Sequence, residues 1–235
     1  MLEADPFQFK HLPRWSLRRL LPTIWARLHE RWARWNYEAY ELQYRSHEDL
    51  PPPPDYHGED TAVTPTQMQY LLKAAQVADE ELGDGVFVEV GCYRGVTTRC
   101  VAESVAPTQF IAVDPFIGWG GAADDYEKFC HRIATTDNVV HERRTSGEAA
   151  RNWNHGRVKW IFIDAVHDYW NTNHDLRVWS RKLKPGAFLI AHDTDSRNFA
   201  GARRAVYEVA VEPSFEIYAH TDDLVILRKQ APDLV

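Results

Sequence analysis

The segment VFVEVGCYRGVTT, residues 86–98, contains the features that decide the fold. It begins as a short apolar strand, turns between Gly91 and Gly95, and leads into a stretch that predicts a helix over residues 97–104. Glycine allows the chain to turn sharply and allows a ligand to approach the backbone closely. The spacing is G-x-x-x-G, so the dinucleotide fingerprint G-x-G-x-x-G is absent.

Helix and strand alternate on both sides of this segment. Thr64, Pro65 and Gln67 form a helix start in which Thr64 is the cap and Gln67 completes a capping box. The patterns predict helices at 64–81, 97–104, 124–133, 169–183 and 200–209, and strands at 86–90, 110–113, 139–143, 160–163, 187–191, 215–219 and 224–227.

These elements predict an α/β fold with a seven-stranded, mostly parallel sheet. The strands are apolar on both faces, which is typical of a parallel sheet covered by helices on both sides. The last two strands are separated by a turn too short for a crossover, so they form a C-terminal antiparallel hairpin.

Composition limits the possible partners. The 235 residues suit one domain, and 27 basic against 34 acidic residues give a net charge of −7, which argues against a nucleic-acid partner. No apolar run approaches the length of a membrane span, and the first residues lack a signal-peptide pattern. Three cysteines without a C-x-x-C pair favour a reducing compartment, so we expect a cytoplasmic protein.

The first 50 residues form a different region, which we interpret as a basic, Trp-rich helical extension. Residues 10–34 contain seven basic residues and one acidic residue, Glu30. Apolar residues recur at helical spacing from Leu17 to Trp35, and Pro22 is expected to start a second helix that runs toward Glu41. A proline-rich linker at 51–60 would then join the extension to a core domain at 61–235.

Three interpretations of this extension are open. It packs on its own core or on a second subunit, and a homo-oligomer is then expected. Alternatively, it lies peripherally on an anionic membrane, because basic residues with Trp and Leu suit an interfacial helix. It could also cap a substrate pocket.

Polar side chains follow the predicted strands. Asp114 ends the second strand, 19 residues after Gly95, where an acidic residue can accept ribose hydroxyls. Asp164 and His167 follow the strand at 160–163, and His192-Asp193 follow the strand at 187–191. A right-handed crossover would place these two strands side by side, so the four side chains should converge on one crevice.

The chain resembles the class I S-adenosylmethionine (SAM)-dependent methyltransferases in these motifs. Glu89-x-Gly91-x-x-x-Gly95 is similar to their first motif, and Asp114 to their second acidic residue. The resemblance implies a Rossmann-like fold and SAM as cofactor. By this resemblance, Asp114 contacts the ribose, Ser146 contacts the adenine, and the glycine motif lines the methionine end. The predicted cofactor-binding residues are Glu89, Gly91, Tyr93, Gly95, Asp114, Ser146 and Asp164.

A second set of motifs resembles one subgroup of these enzymes. FIDAVHDY at 162–169, LKPG at 183–186, AHD at 191–193 and GARRAV at 201–206 are similar to I-D-G-x-H-S-Y, L-K-P-G-G, H-D and G-V-x-R-A-V. The resemblance extends over about residues 64–228. The chain departs from the pattern in having Ala165 for glycine, Val166 for a polar residue, Asp168 for serine and Ala187 for glycine.

The resemblance implies O-methylation of a small hydroxylated molecule such as a sugar or a natural product. His167 or His192 would act as a base beside Asp164, which makes these three the candidate catalytic residues. In related sugar and macrolide enzymes, acidic residues at the ends of strands four and five bind a metal. Asp164, His192 and Asp193 are therefore candidate ligands for Mg²⁺, with Asp168 assigned to capping the next helix.

Other interpretations remain open at this stage. An N-methyltransferase of the same fold is one, and a non-catalytic membrane-peripheral or assembly module is another. The loop FIGWGG at 116–121 is interpreted as a mobile lid or as an ordinary surface loop.

Overall fold

The computed structural model describes residues 22–56, 58–118 and 121–230. A single sheet contains its seven named strands: β1 (Val86–Val90), β2 (Phe110–Val113), β3 (Val139–Glu142), β4 (Val158–Ile163), β5 (Leu183–Ala191), β6 (Phe215–Thr221) and β7 (Leu224–Lys229). The α-helices are α1 (Pro22–Trp35), α2 (Pro65–Leu82), α3 (Val96–Ser104), α4 (Ala123–Ile133), α5 (Ser146–Arg151), α6 (Tyr169–Ser180) and α7 (Ala200–Ala210). No helix in these ranges is both long enough and apolar enough to cross a bilayer.

The strand order β3-β2-β1-β4-β5-β7-β6 confirms the predicted fold class. Strands β1 to β5 pair in parallel, whereas β7 is antiparallel to both β5 and β6. The order reverses between β1 and β4. At such a switch point the connections leave on opposite faces and open a crevice at the carboxyl ends of the strands.

Several elements differ from the prediction, among them the helix predicted at 169–183, which ends at Ser180 because Leu183 already belongs to β5. The short helix α5 is missing from the prediction, although Thr145 and Glu148 form a capping box in front of it. Strand β5 starts at Leu183 instead of residue 187, because Leu183 already pairs with Val158. The segment with Pro185 and Gly186 is therefore an irregularity inside the strand and not a turn before it.

Each face of the sheet has its own apolar layer. On one face Phe87, Trp160 and Phe188 are fully buried with residues of α2 and α3. On the other face Val88, Ile161 and Leu189 pack with residues of α6 and α7. Alternate residues of each strand supply the two layers, which is the reason that these strands read as continuous apolar runs.

The described part of the N-terminal extension packs on the core. Helix α1 begins at Pro22, as predicted, but ends at Trp35, and a 3₁₀ turn follows at Tyr37–Tyr40. It contacts α6 and α7, and Arg45 forms an antiparallel bridge with His220 of β6. The predicted helical repeat at Leu17, and the rest of residues 1–21, lie outside the described residues.

One carboxylate of the linker, that of Asp60, binds the loop between Gly91 and Gly95, which we call the glycine loop. Asp60 accepts hydrogen bonds from Arg132 at 2.5 Å and Arg94 at 2.8 Å, and Lys128 lies at 3.3 Å. Arg94 also donates to Asp125 of α4 at 2.7 Å. The three cations lower the pKa of Asp60 well below its usual value, and the hydrogen bond from Arg132 makes the largest contribution. Burial of Asp60 opposes this shift.

We expect Asp60→Asn to destabilise the fold by about 1–2 kcal/mol at neutral pH, since it removes charge-assisted hydrogen bonds at a partly exposed site. A carboxylate with a lowered pKa contributes stability above its unfolded pKa, and that contribution is lost as the pH falls. The difference between the two proteins should therefore shrink below about pH 4. Urea unfolding across this range is the measurement. Glu59→Gln, at an exposed neighbouring position, should show no such trend.

Candidate functional site

The glycine loop after β1 lies against the end of β4. Gly91 has a φ of 90°, and a Cβ at this position would overlap the backbone carbonyl of Asp164. Tyr93 and Gly95 also have positive φ values, 46° and 74°, so the loop turns within a few residues before α3 begins. The close contact of loop and strand requires glycine at position 91 and leaves the loop backbone lining the crevice.

Asp114, at the end of β2, is bonded to this loop. Its Oδ2 accepts the backbone N–H of Cys92 at 2.8 Å and of Tyr93 at 3.3 Å, and its Oδ1 accepts that of Phe116 at 2.7 Å. A carboxylate offers about four lone-pair positions, of which three are used here. Two ribose hydroxyls would need both oxygens, so their binding would displace the longest of these bonds, the one to Tyr93.

Glu89 is the most buried acidic residue of the site. Its carboxyl group accepts a hydrogen bond from Thr98 of α3. Burial, with smaller contributions from the charges of Asp164 and Asp114, raises the pKa of Glu89 well above its usual value. Three strand ends thus bring three carboxyl groups to the same crevice, which favours a ligand with positive charge.

The predicted residues after β4 and β5 do come together. Asp164 Oδ1 lies 3.3 Å from His192 Nδ1 and 3.7 Å from His167 Nε2. On its other side, His167 Nδ1 lies 2.9 Å from Asp193 Oδ2. Asp193 has a φ of 56°, a strained value for a residue with a side chain, which turns the chain back toward the crevice.

Charge is balanced within this group. Burial opposes ionisation of Asp164, but His192 and His167 outweigh it and lower the pKa of the carboxyl. Burial also opposes the imidazolium form of His192, yet mainly Asp164 raises the pKa of His192 to about 9. Burial lowers the pKa of His167, but the hydrogen bond to Asp193 and the charge of Asp164 outweigh it, so the pKa is raised. Since His192 is buried whereas His167 is partly exposed, His167 is the better placed of the two predicted bases to reach a substrate.

Two further side chains hold His192, and neither contact was predicted from the sequence. Gln67, which closes the capping box of α2, lies with its Oε1 3.3 Å from His192 Nε2. Asp223, in the turn of the C-terminal hairpin, lies 3.6 Å from the same nitrogen and accepts a hydrogen bond from Gln67. Asp222-Asp223 is a pair of acidic residues in a tight turn, which was the available signal.

Two sets of side chains bring possible metal-ligand atoms close together. Ligand atoms of Asp164, His167 and Asp193 lie within 4.8 Å of one another, as do those of His192, Asp193 and Asp223. The predicted ligands Asp164, His192 and Asp193 are thus divided between the two sets, and Asp193 belongs to both.

Ser146 and the predicted lid have other contacts. The Ser146 hydroxyl donates to Asp175 at 2.6 Å and accepts from Trp179 at 2.9 Å, so its contact with adenine stays a prediction. In the predicted lid, Phe116 is buried against the rings of Tyr126 and Phe129, whereas Ile117 is exposed. Residues 119 and 120 lie outside the described residues. Asp168 caps α6 by accepting from Asn171 N at 2.8 Å, as predicted.

The extension reaches this site through Glu30. Its carboxylate accepts the backbone N–H of Tyr169 at 2.7 Å and of Gly201 at 3.1 Å, and so caps both α6 and α7. A Cβ on residue 201 would overlap this carboxylate, which is the reason for glycine there. Burial, opposed by these two bonds, raises the pKa of Glu30. Glu30 is the single acidic residue in the basic segment 10–34, and this isolated charge is the feature of the sequence that marks it.

A second anchor holds the loop after β5. Tyr37 and Tyr44 both donate hydrogen bonds to Asp195, which also pairs with the buried Arg203. Asp195 is two residues from Asp193, and the loop continues to Phe199, whose ring lies 4.9 Å from that of His167. The extension therefore fixes the segments on both sides of His167.

Comparison with known proteins identifies a domain and a fold that this chain shares with them. Residues 88–194 match the family model described as a methyltransferase domain. A protein of Sinorhizobium fredii, described as uncharacterized protein y4gI, is 28% identical over an alignment of 119 residues, and the alignment covers 47% of this chain and 13% of that protein. The chain thus spans a small part of the length of this relative.

Solved structures share the fold. An O-methyltransferase from Bacillus cereus in complex with SAH has a TM-score of 0.58 at 15% identity, covering 96% of this chain and 100% of its own. The O-methyltransferase TomG from Streptomyces achromogenes, involved in tomaymycin synthesis and solved with SAM, has a TM-score of 0.59 at 16% identity, covering 86% and 99%. At these identities the likeness shows the fold.

We expect Glu30→Ala to destabilise the protein by about 2–4 kcal/mol, because it leaves two helix-terminal N–H groups without a partner. Glu30→Gln keeps one acceptor oxygen and should cost about half as much. Thermal and urea unfolding measure both. Glu38→Ala is the control on the same segment, since Glu38 is exposed and its one salt bridge within the described residues is to the exposed Arg197, and it should change stability by less than about 0.5 kcal/mol. Equal effects of Glu30→Ala and Glu38→Ala would contradict the capping role.

Proposed function

We propose that this chain, which carries a class I SAM-dependent methyltransferase domain, transfers a methyl group from SAM to a hydroxyl oxygen of a small molecule such as a sugar or a natural product. The observation that carries the proposal is the contact between His167 Nδ1 and Asp193 Oδ2 at 2.9 Å. This contact fixes the imidazole with its other nitrogen, Nε2, on the side of Asp164, 3.7 Å from Oδ1 of that residue, in the crevice where β1 and β4 end.

The residues of the crevice fit the proposed cofactor. Glu89, Asp114 and Asp164 bring three carboxyl groups from three strands; burial raises the pKa of Glu89, and the charges of Asp164 and Asp114 add to the shift. A sulfonium and an ammonium group would relieve that repulsion. Gly91 gives the ligand access to loop backbone, and Asp114 has carboxylate oxygens suited to ribose hydroxyls. The two neighbouring structures, which contain SAH and SAM, support the same assignment.

SAM would supply an electrophilic methyl group, its S–C bond breaking as the O–C bond forms and SAH leaving as a neutral thioether, and the chain has to present a nucleophilic oxygen to it. In the proposed mechanism His167 Nε2 accepts the proton of the acceptor hydroxyl as the oxygen attacks. Asp193 keeps the Nδ1–H tautomer in place and stabilises the imidazolium that forms. Asp164, with its pKa lowered, remains ionised and adds to that stabilisation. His192, protonated and buried, acts as a positioning residue that holds Asp164.

Activation by a divalent cation is a second candidate, favoured by the proximity of ligand atoms of Asp164, His167 and Asp193. Two carboxylates and an imidazole suit a hard or borderline cation, and Mg²⁺ needs few protein ligands. A cation held there would make an acceptor hydroxyl more acidic. It would also occupy His167, so the two candidates exclude each other.

Asp114→Ala should weaken SAM binding on the order of a hundredfold, since it removes hydrogen bonds to a charged group and releases the glycine loop. Isothermal titration with SAM and SAH measures the effect. Asp137→Asn, which removes the same charge at an exposed position, should bind like the wild type. Absence of binding by the wild-type protein would contradict the proposed enzyme and favour a non-catalytic module.

His167→Ala should lower turnover by about 10²–10⁴-fold with SAM affinity nearly unchanged, as expected for loss of a general base. A panel of hydroxylated acceptors with methyl-labelled SAM first identifies a substrate, and an amine as the best acceptor would favour N-methylation. His131→Ala, at an exposed position, is the control.

Chelation separates the two candidate mechanisms. The proposed base requires turnover to be unaffected by EDTA. Loss of activity in EDTA with recovery on adding Mg²⁺ would replace it by the cation mechanism.

A further inference from the structure

The outer face of α1 is the most apolar exposed surface in the described part of the chain. Across the described residues, eight large apolar side chains are exposed. Four of them belong to α1: Ile24 (52%), Leu28 (52%), Trp32 (54%) and Trp35 (71%). Their spacing of four, four and three residues puts them on one side of the helix. We call these four residues the apolar stripe. Clustering of this kind marks an interaction surface, whereas scattered exposed apolar residues do not.

A row of cations lies next to the stripe. Arg27, Arg31 and Arg34 are exposed and repeat at helical spacing on the adjoining face. Arg31 lies with its guanidinium 4.9 Å from the centre of the Trp35 ring, so the two features are in contact. Among the residues that the structure describes, Arg27 and Arg31 have no carboxylate paired with them, and the charge of Arg34 acts on the Glu30 carboxylate without a direct salt bridge.

The remaining face of the helix is already used. Ala26 and Ala33 are buried, and Glu30 turns its carboxylate inward to cap α6 and α7. The only acidic residue of α1 is therefore withdrawn from the surface. The packing of α1 on the core fixes the rotation of this helix about its axis, so the apolar stripe points away from the core.

We propose that the outer face of α1 binds the surface of an anionic lipid bilayer, with the apolar stripe in the interface and the three arginines against lipid phosphates. Charge complementarity favours this occupant. Trp, Leu and Ile beside arginine, without an exposed carboxylate, are the composition of a helix that lies in an anionic interface. The helix is too short and too charged to span the bilayer, so contact is peripheral.

The same charges argue against a second copy of the chain whose α1 helix packs antiparallel on the stripe. In a two-fold dimer with antiparallel α1 helices packed stripe to stripe, the two arginine rows would lie on the same side of the contact. Like charges so placed are repelled unless another element supplies acidic groups. A bilayer with anionic head groups supplies them directly.

Flotation of the full chain with vesicles tests the proposal. We expect binding to vesicles of phosphatidylcholine with phosphatidylglycerol, no binding to phosphatidylcholine alone, and loss of binding in high salt, which shortens the screening length from about 8 Å to about 3 Å. The triple variant Arg27→Gln, Arg31→Gln, Arg34→Gln should reduce partitioning on the order of a hundredfold, at about fivefold for each charge.

The stripe is tested by Trp32→Ser with Trp35→Ser, which should reduce partitioning by about tenfold or more. Val211→Ser is the matched control, because Val211 is equally exposed (58%) outside the helix, and it should bind like the wild type. Thermal unfolding establishes that each variant is folded.

Three results would overturn the proposal. They are no binding by the wild type, equal binding to neutral and anionic vesicles, and binding that is insensitive to both sets of substitutions. A dimer in solution that dissociates on Trp32→Ser with Trp35→Ser, without vesicle binding, would assign the stripe to a second copy instead.

Discussion

The contact between the glycine loop and the end of β4 is the constraint on which the site depends. Gly91 lies so close to the Asp164 carbonyl that only hydrogen fits in place of a side chain. The contact exists because β1 and β4 are neighbours at the point where the strand order reverses. This contact brings the glycine loop, which would hold a cofactor, close to Asp164, the acidic residue of the second motif, in the crevice. The remaining groups are arranged around that pair.

The main cost of the arrangement is electrostatic. Four strands end in acidic residues at one edge, and burial makes their repulsion stronger than it would be in water. The structure answers it in two ways. Around Asp164, two histidines alternate with carboxylates and become more basic as a result. Around Glu89 the described residues offer a hydroxyl and no cation, so the crevice retains a preference for positive charge on the side of the glycine loop.

The N-terminal extension has two faces with different physical roles. Its inner face supplies Glu30 to two helix ends and Tyr37 to Asp195, and both contacts bear on segments that flank His167. Its outer face combines exposed tryptophans with arginines. A helix that fixes the active-site segments from one side and presents a charged apolar surface on the other would place the crevice at a set orientation to whatever that surface binds. The proposed membrane contact and the proposed chemistry remain separate, because no residue takes part in both.

The sequence by itself determined the order and type of the elements. Apolar runs bounded by glycine, the Thr64 capping box and the short final turn are local signals, and local signals fix strands, helix starts and a hairpin. They also located Asp114, Asp164, His167, His192 and Asp193, because parallel strands place their carboxyl ends at one edge. Tertiary structure alone decided which nitrogen of His167 meets Asp193, that Gln67 and Asp223 hold His192, and that Glu30 closes two helices 139 and 171 residues further along the chain. These contacts join residues distant in sequence, and their geometry depends on side-chain packing that no local pattern records.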